Sequence, residues 1–385
     1  MPGRVTCSVS SEEGLIVSDA SAEPSPDEVR HNQADAVPVW QPSIDRVRRA
    51  MADNDDAALI ALDDELQSLL QLPPRALQRG ARQITLYRSV IAWKRDGIFK
   101  PPFEDPQTAR IQFWDLDAHS SDLEYKRQFI DHAAERYPNR RGFNMIRRVL
   151  TTIEKAQSRF RFGSEDVQIH RRPGATLTIV GFSGIKGGFA GVGWMLFDRA
   201  VAEPLNANLV VLRDDNKRIY LAGIASLGDY SSSVAKVREI LGEFADTRVV
   251  ATGASGGVFG ATAFAADLGV RHVVAFAGPT SIEVGEENED RQVYRRISED
   301  IEAGRFARID LPTKVNNSAI ERIDFFVAGQ EAFDMRQLDA LRSRCTKVVP
   351  HIYEDRSGHI VTDYAIEDGS LFEAFRAGPQ TTGLA

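Results

Sequence analysis

Six short runs of apolar, β-prone residues occupy the second half of the chain, at 177–182, 208–212, 248–251, 272–276, 324–328 and 347–352. Between most of them, at 193–202, 231–244, 257–268 and 336–344, apolar residues recur at helical spacing. Strands alternating with helices pair in parallel, because each helix carries the chain back across the sheet. A strand that is apolar along its whole length must be covered on both sides. The pattern predicts an α/β fold over 170–377, a mostly parallel sheet with helices on both faces. The stretch 283–318 interrupts the alternation. It opens with acidic residues at Glu286, Glu287, Glu289 and Asp290. It reads either as a lid over a site or as a solvated surface excursion.

The first 165 residues have a different texture. Residues 1–41 mix Ser, Glu, Asp, Ala and Pro, and are expected to be a disordered tail. A mainly helical region follows over 42–165, with Ser43 as the candidate cap of its first helix. Leu59, Leu62, Leu66, Leu69 and Leu70 mark a helix over 57–72, which Pro73 and Pro74 end. Leu77, Ile84, Tyr87 and Ile91 mark another over 75–95. This pair suggests a hairpin that binds a protein partner. Residues 109–114 read as a short strand, and 123–137 and 143–160 as further helices. The last residues, 378–385, are expected to be a flexible tail.

Composition excludes several classes. With 47 basic and 55 acidic residues the net charge is −8, which argues against a nucleic-acid footprint. Only two cysteines, Cys7 and Cys345, are present, too few for a disulfide scaffold or a cysteine-based zinc site. No apolar run approaches the roughly 18 residues of a membrane-spanning helix, and the first 21 residues lack the apolar block of a secretory signal. The expectation is a cytoplasmic protein with no membrane span.

In parallel α/β sheets, ligands bind beyond the carboxyl ends of the strands. After the run at 248–251 comes Gly253-Ala-Ser255-Gly-Gly257, then a helix. Gly-x-Ser-x-Gly at a strand-to-helix turn is the spacing of a nucleophile elbow. Side chains two residues before and after the serine would collide in so sharp a turn. The serine then lies at the positive end of a helix, where amide N–H groups stabilise an oxyanion. The same string also resembles the glycine-rich opening of short-chain dehydrogenases. Against that reading, the third glycine is one place late at Gly260, two strands precede the motif, and no Tyr has a Lys four residues later.

A nucleophilic serine needs a base, and the base an orienting acid. Of the seven histidines only His272, His351 and His359 follow Ser255. The first two fall on strands. His359 lies in a loop after the last strand, where a base can face the elbow. The acid belongs after the fifth run. Ala332 holds the commonest position, leaving Glu331 and Asp334 on either side. Asp334 is preferred because it precedes a helix and can also cap it. For the oxyanion, one donor is the amide of Gly256, and the second is expected at Phe182 or Ser183 in the glycine-rich segment after the first run. No phosphate-binding loop and no His-Glu-x-x-His zinc motif occur. The chemistry requires no cofactor and no metal.

With its elbow, strand order and late histidine, the region 175–376 resembles the α/β-hydrolase superfamily. Val211-Leu-Arg-Asp214, Tyr220-x-x-Gly223-Ile224 and Ala275-Phe-Ala-Gly-Pro279-Thr280 narrow the likeness. They resemble a sparsely described hydrolase-like group associated with bacterial surface-glycan gene clusters. That resemblance implies Ser255, Asp334 and His359 as the catalytic set. Residues 109–137 faintly resemble the opening of a sugar-nucleotide glycosyltransferase family. The expected function is a serine esterase or acyltransferase working through an acyl-enzyme on a small-molecule or glycan ester. The alternative is a non-catalytic hydrolase-like module that binds a partner through its N-terminal helices.

Overall fold

A computed structural model describes residues 38–77, 80–120, 122–153, 165–185, 187–189, 192–285 and 291–379. Most of the expected N-terminal tail, the acidic opening of the 283–318 insertion, the end of the helix expected over 143–160 and the last six residues lie outside this set.

Seven strands form one sheet in the order β1-β3-β2-β4-β5-β6-β7. They are β1 Val167–His170, β2 Leu177–Phe182, β3 Ala207–Leu212, β4 Arg248–Ala254, β5 His272–Phe276, β6 Arg322–Ala328 and β7 Val348–Tyr353. All neighbouring pairs are parallel except β1 with β3. The six expected runs are the six parallel strands. β1 is an addition: four residues on an edge, too short to stand out in the sequence.

Side chains along the strands divide by parity between two cores. Ile179, Val211, Val274 and Phe326 enter one core. Their neighbours Val180, Leu212, Val273 and Phe325 enter the other. That division is why the strands read as continuously apolar. The second core is closed by the helices Tyr230–Gly242, Gly257–Leu268 and Ala332–Arg342. The first takes in Trp194–Phe197, the π-helical turn Asp198–Ala202, and the C-terminal helices Thr362–Glu367 and Ser370–Ala377.

The N-terminal helices belong to that first core. Leu59, Leu66, Leu77, Ile84, Tyr87 and Ile91 are all buried in it. The stripe that the hairpin expectation would turn toward a partner is therefore covered from within the chain. Helix Pro106–His119 packs on Trp194–Phe197, and helix Arg141–Thr151 packs on Thr362–Glu367. The helical region forms a further layer over one face of the sheet assembly.

Three local expectations are corrected. The strand expected over 109–114 is the middle of helix Pro106–His119. Asp105 caps it by accepting from the amides of Gln107 and Thr108, each at 2.9 Å. Ala109, Phe113 and Leu116 bury one helical face. The first helix begins at Gln41 with Pro42 in its opening turn, so Ser43 is no cap, and its hydroxyl donates to Glu65. The helix expected over 57–72 is two, Asp56–Ala61 and Asp63–Leu69, separated at Leu62.

Among the described residues, no helix is long and apolar enough to cross a membrane.

Candidate active site

The strand register brings the carboxyl ends of β2, β4, β5 and β6 together: Phe182 pairs with Gly253, Ala254 with Phe276, and Phe276 with Phe326. At this edge the chain leaves β4 through Ser255, whose φ is 54°, and enters helix Gly257–Leu268. A left-handed conformation at a non-glycine residue is costly and needs support. Here the Ser255 N–H donates to the carbonyls of Phe276 and Ala277, and the Val258 N–H returns to the Ser255 carbonyl at 2.9 Å. The bend is too tight for side chains on either flank. A Cβ at Gly253 would lie 2.1 Å from the Gly257 carbonyl oxygen, and one at Gly257 would lie 2.1 Å from that of Phe182. Both glycines of the motif are thus sterically required.

His359 follows Gly358 in the loop after β7. Its Nδ1 lies 3.0 Å from both carboxylate oxygens of Asp334. Asp334 is fully buried, while the imidazole is 40% exposed. A buried carboxylate on Nδ1 fixes the tautomer with hydrogen there, leaving Nε2 as the basic nitrogen. Asp334 is the third residue of helix Ala332–Arg342, not its cap. The cap position belongs to Glu331, whose side chain makes no capping bond. Of the two candidate acids, Asp334 is the one the fold brings to His359.

A hydrogen-bond relay ties the acid's helix to the elbow. Gln337, one turn after Asp334, accepts from the amides of Thr280 and Ser281 at 2.8 and 2.9 Å. The segment that carries those amides starts at Ala277, whose carbonyl accepts from the Ser255 amide.

The expected oxyanion donors divide. Gly256 precedes the helix, and among the described residues its N–H meets no carbonyl. Ser183 does not qualify: its N–H donates to Leu212 O at 2.9 Å, and its hydroxyl accepts from Trp194 Nε1. Phe182 is held inside β2, paired with Leu212 and Gly253 on its two sides. The sheet ladder runs one residue further than the sequence suggested and takes both. The next amide, of Gly184, closes a turn on Gly188 O. Ile185 follows, and its side chain lies against Gly256: a Cβ there would be 2.7 Å from Ile185 Cγ1.

The segment after β3, which the sequence singled out only through its resemblance, adds a coiled support to the site. Asp214 Oδ2 accepts from the amides of Arg218 and Tyr220 at 2.7 and 2.9 Å. Burial pushes this carboxyl up, and those amides partly offset the rise. Tyr220 donates its hydroxyl to Leu212 O and Ser183 O. Ile219 and Tyr220 both have positive φ, 49° and 70°. The coiled loop sets Ile219 beside Gly256 and lays the Tyr220 ring where a side chain at Gly260 would be. The sequence signals were an acid ending a strand and the string Tyr220-x-x-Gly223-Ile224, and neither states that the loop packs beside Gly256.

The insertion packs Tyr294, Ile297 and Leu311 against Ile219, Leu221 and Phe259, and Asp300 pairs with Arg218 and Arg305. A hollow of about 420 Å³ opens between it and residues 221–231, and none of the candidate catalytic residues lines it.

No family model matches the chain, and no curated protein matches it. Among solved structures, the capsule O-acetyltransferase of Neisseria meningitidis serogroup A is 12% identical over 56% of this chain and 93% of its own, with a TM-score of 0.40. An S-formylglutathione hydrolase from Agrobacterium tumefaciens is 16% identical over 55% and 89%, at 0.38. Acetyl xylan esterase 1 from Thermoanaerobacterium sp. JW/SL YS485 is 16% identical over 55% and 78%, at 0.39. The fold is α/β, a mostly parallel seven-stranded sheet with helices on both faces, preceded by a helical N-terminal region.

Proposed function

We propose that the protein is a serine hydrolase or acyltransferase that works through an acyl-enzyme. Ser255 Oγ attacks an acyl carbonyl, and His359 Nε2 takes its proton. Asp334 orients the imidazole and balances the charge it gains. The tetrahedral oxyanion is held by the Gly256 amide, with the Ile185 amide as second donor. Collapse expels the alcohol, which His359 protonates. Water or a second hydroxyl then attacks the ester on Ser255, assisted by the same imidazole.

The observation that carries this reading is the pairing of His359 Nδ1 with a fully buried Asp334. A carboxylate without contact to solvent needs a partner, and this one has a partner on the loop where an elbow serine's base is expected. The alternative, a non-catalytic module that binds a partner through its N-terminal helices, drew on the ambiguity of the acid, and the bond between Asp334 and His359 supports the catalytic reading over it.

The substrate we propose is an ester of a carbohydrate hydroxyl. Its support is the sequence resemblance at 211–224 and 275–280, with the fainter one at 109–137. The insertion at 283–318, packed on the loop that flanks Gly256, is proposed as a lid or wall over the acyl site.

A fluorophosphonate probe tests the reading. The wild-type chain should be labelled and S255A should not. Labelling that persists in S255A would remove Ser255 from its role.

A further inference from the structure

Resting on the serine-hydrolase reading, we propose that Arg148, in the N-terminal helical layer, is a positioning residue for His359. By this contact the layer becomes part of the machinery that sets the base.

The loop that carries His359 is fastened at both ends. At its start, the Arg356 amide returns to Tyr353 O at 3.0 Å, and the Gln330 amide donates to Arg356 O at 2.9 Å. That second bond ties the loop to the segment that leads into Asp334. At its far end, helix Thr362–Glu367 begins three residues after His359, and no side chain caps it. Its placement therefore depends on what holds its first turn.

Arg148 does this from helix Arg141–Thr151. Its Nη2 donates to Asp363 Oδ2, and its Nε lies 3.2 Å from Glu367. Its guanidinium lies 5.0 Å from the ring centre of Tyr364. Arg356, on the His359 loop itself, lies 4.6 Å from the same ring. One aromatic ring thus joins the anchoring arginine to the loop that bears the base. The Asp363 side chain is fully buried, and its other oxygen meets no hydrogen-bond partner among the described residues. Arg148 is the cation that compensates that charge.

Apolar packing offers a rival account. Val361, Ala365 and Ile366 sit in the large core and would hold the helix without any ion pair. The two accounts differ in what a displaced imidazole would do. A shift of about 1 Å at a catalytic group lowers rate by up to roughly a hundredfold without weakening ground-state binding.

The full-length chain is compared with R148M, R148K and R148M/D363N by fluorophosphonate labelling, resolving the maximal labelling rate from the half-saturating probe concentration. Thermal midpoints are measured in parallel. R148M leaves a buried charge unpaired and should lose stability. R148M/D363N removes that charge and should recover the midpoint. On our proposal the double variant still labels at least about tenfold more slowly at saturation, with half-saturation within about twofold of wild type. R148K, which keeps a cation on Asp363, should recover part of the rate. A double variant that regains both midpoint and wild-type rate would overturn the proposal, since Arg148 would then serve stability alone. So would an undiminished rate in R148M. A wild type that is not labelled at all marks failure of the Ser255 reading instead.

Discussion

Ser255 adopts a conformation that costs a non-glycine residue about 1–3 kcal/mol. It is retained because its surroundings leave no alternative. Two carbonyls hold its amide, and one amide holds its carbonyl. Gly278 approaches so closely that a Cβ there would lie 2.2 Å from the Ser255 carbonyl oxygen. At this scale the two candidate acids also separate. Asp334 is buried and bonded to His359, whereas Glu331 ends a turn with its amide on Ala328 O. D334N should present an amide where Nδ1–H needs a carboxylate. A loss on the order of a thousandfold in kcat/KM for an activated ester is expected, with little change in fold. E331Q should stay within about twofold of wild type, because no hydrogen bond to His359 is lost. Equal losses in the two variants would reopen the choice of acid.

At the scale of elements, the parallel strands were legible because burial on both faces leaves an uninterrupted apolar run. The elbow was legible because its glycines answer to atomic overlap. The acid was only half legible. Two carboxylates stood in the right segment, and which one faces His359 depends on helical phase, which begins at Ala332. The oxyanion donors were misplaced by one hydrogen bond, from the Ser183 amide to Leu212, that continues the ladder beyond β2. The misread strand at 109–114 has a similar cause. Ile111, Phe113 and Trp114 favour strands as residue types, but Asp105 and Pro106 start a helix before they are reached. Phe113 is buried while Ile111 stays 40% exposed, as helical phase demands. Asp105 accepts from two amides and from the Thr108 hydroxyl. D105A should therefore lower stability by about 1 kcal/mol in urea unfolding. A loss below a few tenths would show that the core contacts alone fix this helix.

Across the whole molecule, a buried polar cluster sits apart from the candidate site. Asp324 of β6 is fully enclosed. It accepts from His272 of β5 and His351 of β7, each at 2.7 Å, and from Arg322. Three neighbouring strands are thus cross-linked through one carboxylate. Burial alone would raise the Asp324 carboxyl, but the bonds from His272, His351 and Arg322 outweigh it and hold it far below the usual carboxylate range. Burial pushes the His272 imidazole down, and its bond to Asp324 offsets only part of that. Both folded-state values are therefore depressed, and the signs agree. The unfolded chain takes up protons that the folded chain refuses, so stability is present at neutral pH and declines as pH falls. His272 begins to contribute below about pH 6.5, its unfolded value, and Asp324 below about pH 4. Each proton imposes a slope of at most about 1.4 kcal/mol per pH unit. Urea unfolding of the wild type should show stability falling from pH 7 to pH 5, and H272Q should flatten that fall while still offering Asp324 a donor. Parallel slopes in the two proteins would mean that other groups govern the acid limb and that His272 is a packing residue whose protonation the fold tolerates.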